Sequence, residues 1–461
     1  MERRPSPGDA GRGTRFRKGN NVSSSLNRRG FIRRGSVAAL GLSAFRRTAK
    51  AGETAADPAR PVRIGVIGVG GRGYSLLSLL AGIESVRIPA LCDIRPERVE
   101  IGQKLVTEAG QPQPEGYVQD DYAYEKLCAR EDLDGVIIAT PWNWHARMAV
   151  AAMKAGKYAG VEVPAALTLK ECWELVDTTE TTGVPCMMLE NWSFRRDNLA
   201  VLNMIRAGLL GETVHAQCAY AHDCVTYFCD AEGKPRWQGE YLFTRNCDPY
   251  PTHGLGPVLS WMDINCGDRF DRLTTVATDS FGLNHYLQKQ FGPDHPAAKR
   301  PVKQGDVVTT IVKTKRGKTI TIVNDMVLPR PYDNRWLIQG TGGIYSQEHD
   351  AVYLEGRSPK SHEWEPFAPY QKKYDHALWK NAPADVESRG HGGPDYLELV
   401  GFVQAVRAKT PLPIDIYDSV TMSSVVALSE QSLAQGGAPV DCPDFTRGKW
   451  ESRKPVFAVE A

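Results

Sequence analysis

From Pro61 onward the hydrophobic pattern alternates between two kinds of segment. Short, nearly unbroken apolar runs read as buried strands: Val62 to Ile67, Ile88 to Cys92, Gly135 to Thr140 and Tyr158 to Val163. Between them, Tyr74 to Ala81 and Ala146 to Ala155 carry apolar residues at helical spacing. Strands alternating with helices predict a doubly wound parallel sheet, because parallel neighbours need a crossover and a helix supplies it. Beyond Asn191 the pattern changes. A helix over Leu199 to Ala207 precedes strands rich in Thr, Val and Ile, among them Val307 to Thr314 and Lys318 to Asn324, with Arg316-Gly317 as the hairpin turn. These predict an open, mostly antiparallel sheet, and a helix over Pro394 to Ala408 packing back on the core.

Composition changes this picture little, but charge changes it at one end. The 461 residues are 42% hydrophobic and 24% charged, as in ordinary globular proteins, and the length suggests two domains. The net charge of +2 hides an asymmetry, since residues 1–51 carry 13 of the 56 Lys+Arg and only 2 of the 54 acids. The body is therefore acidic, which argues against a nucleic-acid partner. Within the basic leader, Asn27-Arg28-Arg29-Gly30-Phe31-Ile32 and the apolar Val37 to Phe45 resemble a twin-arginine export signal, with Ala49-Lys50-Ala51 as a cleavage site. A disordered basic tail is the alternative. No later segment reaches about 18 uninterrupted apolar residues, so no integral membrane anchor is expected. The ten cysteines show neither CxxC nor zinc spacing and read mostly as buried thiols; Cys224 and Cys229 are near enough in sequence to pair. No metal site is expected.

Candidate chemistry begins where the first strand runs into Gly68-Val69-Gly70-Gly71-Arg72-Gly73. In this G-x-G-x-x-G, Gly68 allows the tight turn, Gly70 admits a pyrophosphate and Gly73 lets helix and strand pack closely. Asp93 ends the second strand, 20 residues beyond Gly73, where a carboxylate accepts from the adenosine ribose and favours NAD; Arg95 leaves NADP open. The fold class expected is thus α/β, with an N-terminal Rossmann dinucleotide-binding domain over 61–190 and a C-terminal α+β domain over 191–461. Pro141-Trp142-Asn143-Trp144-His145 follows the third of these strands, at the sheet edge where ligands bind. Its tryptophans are candidates to wall a nicotinamide or sugar, and His145 either starts a helix or touches the cofactor.

The order of the glycine loop, Asp93, Thr140-Pro141…His145 and Glu162-Val163-Pro164 resembles the glucose-fructose oxidoreductase/inositol dehydrogenase superfamily. Many of its dehydrogenases carry Glu-Lys-Pro at the last motif; Val163 replaces that proton-handling lysine. A narrower resemblance is to glycoside hydrolase family 109. It rests on Trp142 through His145, Gly160 to Val163, Leu189-Glu190-Asn191, Tyr250-Pro251-Thr252-His253-Gly254-Leu255-Gly256-Pro257, Leu328 to Tyr332, Gly390-His391-Gly392-Gly393 and Pro443 to Gly448. The resemblance covers Pro61 to Trp450 and implies an NAD-using α-N-acetylgalactosaminidase. It implies cofactor contacts from Gly71, Arg72, Asp93, Trp142, Asn143, Trp144, His145, Glu162, Val163 and Asn191. Implied substrate contacts are Tyr220, Tyr250, Pro251, Thr252, His253 and Tyr332. Two positions depart from the family: Gln238 stands where an arginine is general, with Arg236 and Arg245 as possible stand-ins, and Phe194 stands where a tyrosine is common.

The implied reaction is oxidation at sugar C3 by NAD, loss of the acidified C2 proton and of the C1 aglycone, water addition, and return of the hydride. A histidine suits the proton step, and His253 is the first candidate, with Tyr250 as donor or relay. Structural alternatives exist: His253 could cap a helix starting near Gly256, Tyr250 and Tyr332 could pack on prolines, Glu162 could cap a strand end, and His391 could serve a turn. His222-Asp223 is discounted as a dyad, since neighbours on a strand face opposite ways. The rival functions are an exported NAD(P)-dependent sugar oxidoreductase and a non-catalytic binding protein. The expected partners are a glycoside substrate and, through the C-terminal sheet, further copies of the chain.

Overall fold

The computed structural model describes residues 60–459, so the basic segment expected to be an export signal lies outside the described residues. Six strands, β1 (Val62–Ile67), β2 (Val86–Cys92), β3 (Glu115–Tyr117), β4 (Gly135–Ile138), β5 (Tyr158–Val161) and β6 (Cys186–Met188), form a parallel sheet in the order β3-β2-β1-β4-β5-β6. Ile64, Val66, Val136, Ile137 and Ile138 are fully buried, which explains why these strands read as continuous apolar runs. The strand order reverses between β1 and β4, opening a crevice at their C-terminal ends.

Two helices at that crevice start earlier than their apolar periodicity predicts. Helix α1 (Gly71–Ala81) begins inside the glycine motif rather than at Tyr74, and α2 (Trp142–Lys154) begins at Trp142 rather than Ala146. The first turn of α1 is Gly71-Arg72-Gly73, and that of α2 packs Trp142 on the aromatic rings of Trp237, Tyr241 and Tyr250, so neither extends the apolar period of the turns that follow. Conversely β4 and β5 end two residues earlier than expected, which puts Thr140, Glu162 and Val163 in the loops that line the crevice.

The second sheet has nine strands: β7 (Thr213–Ala221), β8 (Phe270–Ala277), β9 (Val307–Thr314), β10 (Thr319–Asp325), β11 (Leu337–Gly340), β12 (Gly343–Ser346), β13 (Ala351–Leu354), β14 (Glu365–Pro366) and β15 (Val440–Asp441). Their order is β14-β13-β12-β11-β7-β10-β9-β8-β15, antiparallel throughout except for the β7–β10 pair. Helices α3 (Trp237–Thr244) and α4 (Thr252–Trp261) follow β7 in the chain, and α5 (Pro394–Ala408) lies where its sequence predicts.

A nineteen-residue helix, α6 (Ile416–Ala434), is absent from the sequence reading. Its serines disguise it. Ser419 and Ser423 Oγ accept from the backbone N–H of Met188 and Ala165, while Ser429 and Ser432 Oγ accept from Asp248 and Thr275. These buried hydroxyls satisfy backbone donors of the first sheet's region on one side, and of β8 and the loop before α4 on the other. A helix buried on opposite sides shows little amphipathic contrast. All ten cysteines are unpaired, Cys224 and Cys229 included. Among the described residues, no helix is long and apolar enough to cross a membrane.

Candidate active site

β1 ends in a turn at Gly68, whose φ of 85° and closeness to Ala139 leave no room for a side chain: a Cβ there would lie 2.6 Å from the Ala139 carbonyl oxygen. Gly73 presses against the same turn, and a Cβ on it would lie 1.8 Å from the Gly68 oxygen. The N-terminus of α1 has no acid in its first turn and no side-chain cap, which leaves its N–H donors for an anion. Asp93 ties the loop down, its Oδ2 accepting from Val69 N at 2.8 Å and its Oδ1 from Arg95 N at 3.0 Å. Around this loop opens a cavity of about 820 Å³, lined by Gly68, Gly70, Gly71, Arg72, Asp93, Trp142, Trp144, His145, Glu162 and Val163. A bare helix N-terminus, a side-chain-free loop and a carboxylate at the end of the neighbouring strand fit a nicotinamide dinucleotide.

Two other expected cofactor residues, Asn143 and Asn191, do not line the cavity. Asn143 is exposed. Asn191 is buried and donates from Nδ2 to Asp395 Oδ1 at 2.6 Å. His145 is also buried, with its ring nitrogens 2.8 Å and 2.7 Å from the carbonyl oxygens of Pro164 and Thr140; it pins two cavity loops together, and burial lowers its pKa.

Arg72 reaches into a group of acids. Its Nε donates to Glu162 Oε1 at 2.6 Å and its Nη1 to Asp395 Oδ2 at 2.7 Å; Asp395 also meets His391 Nδ1 at 2.8 Å. Burial works against the Asp395 charge, but His391 and Arg72 hold its carboxyl well below the usual range. One turn on, Glu398 is fully buried with neither oxygen hydrogen-bonded, and burial pushes its carboxyl well up.

The cavity continues to Tyr220, Trp237, Gln238 and Tyr250. Trp142 meets Trp237 edge-on and Tyr241 at a tilt, both with centroids 5.1 Å apart, and Tyr250 at 5.7 Å. His253 lies 5.1 Å from Tyr250 and 5.6 Å from Tyr220, ring to ring. It sits in the first turn of α4, which starts at Thr252 rather than near Gly256, so it does not cap the helix from outside. Its Nδ1 is 2.6 Å from Oε1 of the fully buried Glu190. Burial pushes the phenols of Tyr220 and Tyr250 well up, with Glu162 adding to the effect on Tyr250. Tyr332 stands 5.8 Å from Tyr220 and accepts from Trp192 Nε1 at 2.6 Å, and burial raises its phenol to about 12. Pro251 and Thr252 are buried and do not line the cavity.

The comparisons with known proteins match this two-part construction. The family described as "Oxidoreductase family, NAD-binding Rossmann fold" matches residues 62–190, and "Glycosyl hydrolase 109, C-terminal domain" matches residues 194–452. An alpha-N-acetylgalactosaminidase from Tannerella forsythia is 40% identical, covering 94% of this chain and 99% of its own. The chain belongs to glycosyl hydrolase family 109. A family 109 protein from Stenotrophomonas maltophilia is 42% identical over 87% of this chain and 92% of its own. Among solved structures, an NAD binding oxidoreductase from Klebsiella pneumoniae superimposes with a TM-score of 0.64 at 18% identity, covering 83% of this chain and 100% of that one. An aldose-aldose oxidoreductase from Caulobacter crescentus does so with 0.59 at 15%, over 83% and 100%. Those two likenesses are of fold.

In this family 109 chain, Gln238 and Arg236 line the cavity, whereas Arg245 is closed onto Glu430, with Nη2 and Oε2 2.6 Å apart, and does not. Phe194 is buried against Phe457 and lies off the cavity wall. Sequence reasoning missed the roles of Glu190, Trp192 and Asp395. Glu190 lay inside the Leu-Glu-Asn motif without an assigned task, and Asp395 reads as an ordinary acid at a helix start.

Proposed function

We propose that this chain cleaves α-N-acetylgalactosaminides or related glycosides with a held NAD, by C3 oxidation, C1–C2 elimination, water addition and re-reduction. The observation that carries this reading is one cavity shared by a dinucleotide-type glycine loop and the wall of Tyr220 and Tyr250 that His253 packs against. The name of the Tannerella forsythia relative supports the sugar. Asp93 favours NAD over NADP, since a 2′-phosphate would face its charge.

A dinucleotide held by the glycine loop and Asp93 would supply a hydride acceptor, and later a donor, for sugar C3. The chain's own residues handle protons and position the sugar. His253 takes the proton that the elimination releases and returns one at the water-addition step. Tyr250 stays a neutral phenol, because burial and Glu162 oppose its ionisation, and so can donate a hydrogen bond to the C3 oxygen. Val163 brings no proton-carrying group beside Glu162, which leaves that work to His253 and Tyr250. Trp142, Tyr220 and Tyr332 offer faces to the sugar ring.

Because the reaction ends with no net redox change, it suits a compartment without free NAD. We infer export by the twin-arginine route to the periplasm or beyond, supported by Arg28-Arg29 and the apolar stretch after them. Val214, Val276 and Ile311 stand about half exposed on the nine-stranded sheet, where a second copy of the chain would cover them.

The test uses purified protein without added cofactor and p-nitrophenyl α-N-acetylgalactosaminide in D₂O. Nitrophenol release with deuterium at sugar C2 is the expected result. Release without deuterium would discard the elimination route, and no release from protein that carries the dinucleotide would favour the oxidoreductase.

A further inference from the structure

We propose that Glu190 is a positioning residue for His253: it holds the proton on Nδ1 and so leaves Nε2 as the basic nitrogen that works on the sugar. Glu190 is fully buried, and each of its oxygens is surrounded by donors. Oε2 accepts from Ser193 N at 2.9 Å and Ser193 Oγ at 2.7 Å, and Oε1 accepts from Trp192 N at 3.2 Å. A carboxylate accepts all of these donors with no acceptor site given up to a proton, so the 2.6 Å contact with His253 is completed by a proton on Nδ1. Nε2 makes no hydrogen bond among the described residues, and the rings of Tyr220 and Tyr250, which line the cavity, lie 5.6 Å and 5.1 Å from the imidazole, centroid to centroid.

The helix that carries His253 is shaped for this contact. Gly256, three residues on and therefore on the same helical face, leaves the space that Glu190 occupies. A Cβ at Gly256 would lie 1.8 Å from Glu190 Oε2 and 2.5 Å from Ser193 Oγ. A side chain at that point would push the carboxylate off the imidazole. The Tyr-Pro-Thr-His-Gly-Leu-Gly-Pro segment thus encodes both the base and the gap through which its partner reaches it. When Nε2 takes a proton from substrate, the imidazolium forms against a carboxylate already in place, and no further proton moves to Glu190.

The reaction in which Nε2 works rests on the glycosidase reading; the tautomer does not, and the experiment separates the two. In Glu190→Gln the amide oxygen is required where Ser193 donates twice, so the NH₂ group faces Nδ1 and becomes a donor. His253 must then carry its proton on Nε2, which is wrong for a base. The expected result is a roughly hundred- to ten-thousand-fold fall in kcat, with KM and the retained dinucleotide unchanged. Nitrogen-15 NMR of histidine-labelled protein, with the His253 signals assigned by their loss in His253→Ala, should show Nδ1 protonated in the native chain and Nε2 protonated in the variant. A Glu190→Gln protein with kcat within twofold of native overturns the proposal, as does a native spectrum with the proton on Nε2. The native spectrum decides even if the variant does not fold or the native protein turns over no α-N-acetylgalactosaminide. Gly256→Ala should reproduce the kcat loss by steric displacement.

Discussion

The dinucleotide end of the cavity and its aromatic wall differ in how far apart their residues lie in the chain. From Gly68 to Val163, the loop, Asp93, Trp142 and Glu162 all follow strands of one sheet, and each lies just past the end of its strand. The wall of Tyr220 and Tyr250 instead gathers around it Glu190, His253, Tyr332 and, through Arg72, Asp395; these residues come from β7, from the loops after β6 and β10, from α4 and the residues just before it, and from the start of α5. The first end is a local device repeated along a parallel sheet, whereas the second exists only after both sheets and α6 have closed on each other. One consequence is chemical. The local end offers backbone donors and fixed space, suited to holding a cofactor, while the assembled end brings together ionisable groups whose environments differ, suited to moving protons.

Breaking each end separately should therefore give distinct failures. The largest effect is expected from His253→Ala, which should lower turnover by about a thousandfold or more while the dinucleotide stays bound. Retained turnover would remove His253 from the proton role. Asp93→Ala should do the reverse: it frees Val69 N and Arg95 N and removes the proposed ribose acceptor, so cofactor retention after gel filtration should fall by roughly tenfold or more, about the worth of one charge-assisted hydrogen bond. Unchanged retention would show that the loop holds the dinucleotide without Asp93.

A smaller effect should expose how the wall is supported. Asp248, two residues before Tyr250, is fully buried, accepts from Tyr250 N through Oδ1 and leaves Oδ2 without a partner. Burial pushes its carboxyl up to about 7. The folded state therefore keeps a proton that the unfolded chain gives up near pH 4. Its contribution to stability is full below that pH and drains away as pH rises to about 7. Asp248→Asn removes this dependence, so the gap in Tm between variant and native should grow in the variant's favour from pH 4 to pH 7 and then level off. A constant gap across that range would mean that Asp248 is already ionised in the fold.

Much of the first sheet could be read along the chain, because buried parallel strands leave unbroken apolar runs and Gly68 has a single stereochemical use. The glycine loop and Asp93 emerge from spacing alone. His253 and Tyr250 came from motif resemblance, not from pattern, since an imidazole in a helix's first turn resembles any other. Helix α6 was hidden because its buried serines read as a polar surface, although four of them satisfy a backbone N–H elsewhere in the core.

What the sequence determined by itself is the local chemistry: a dinucleotide loop, an acid at the next strand end, and a histidine next to two small residues that allow close packing. Only the tertiary structure decided which partner each ionisable group would have. Glu190 lies 63 residues from His253, and Arg72 lies 323 from Asp395. At such separations no periodicity links the members of a pair. Their meeting depends on where the sheets and α6 pack, and on the small volumes, such as the missing side chain at Gly256, that let a buried carboxylate reach its partner.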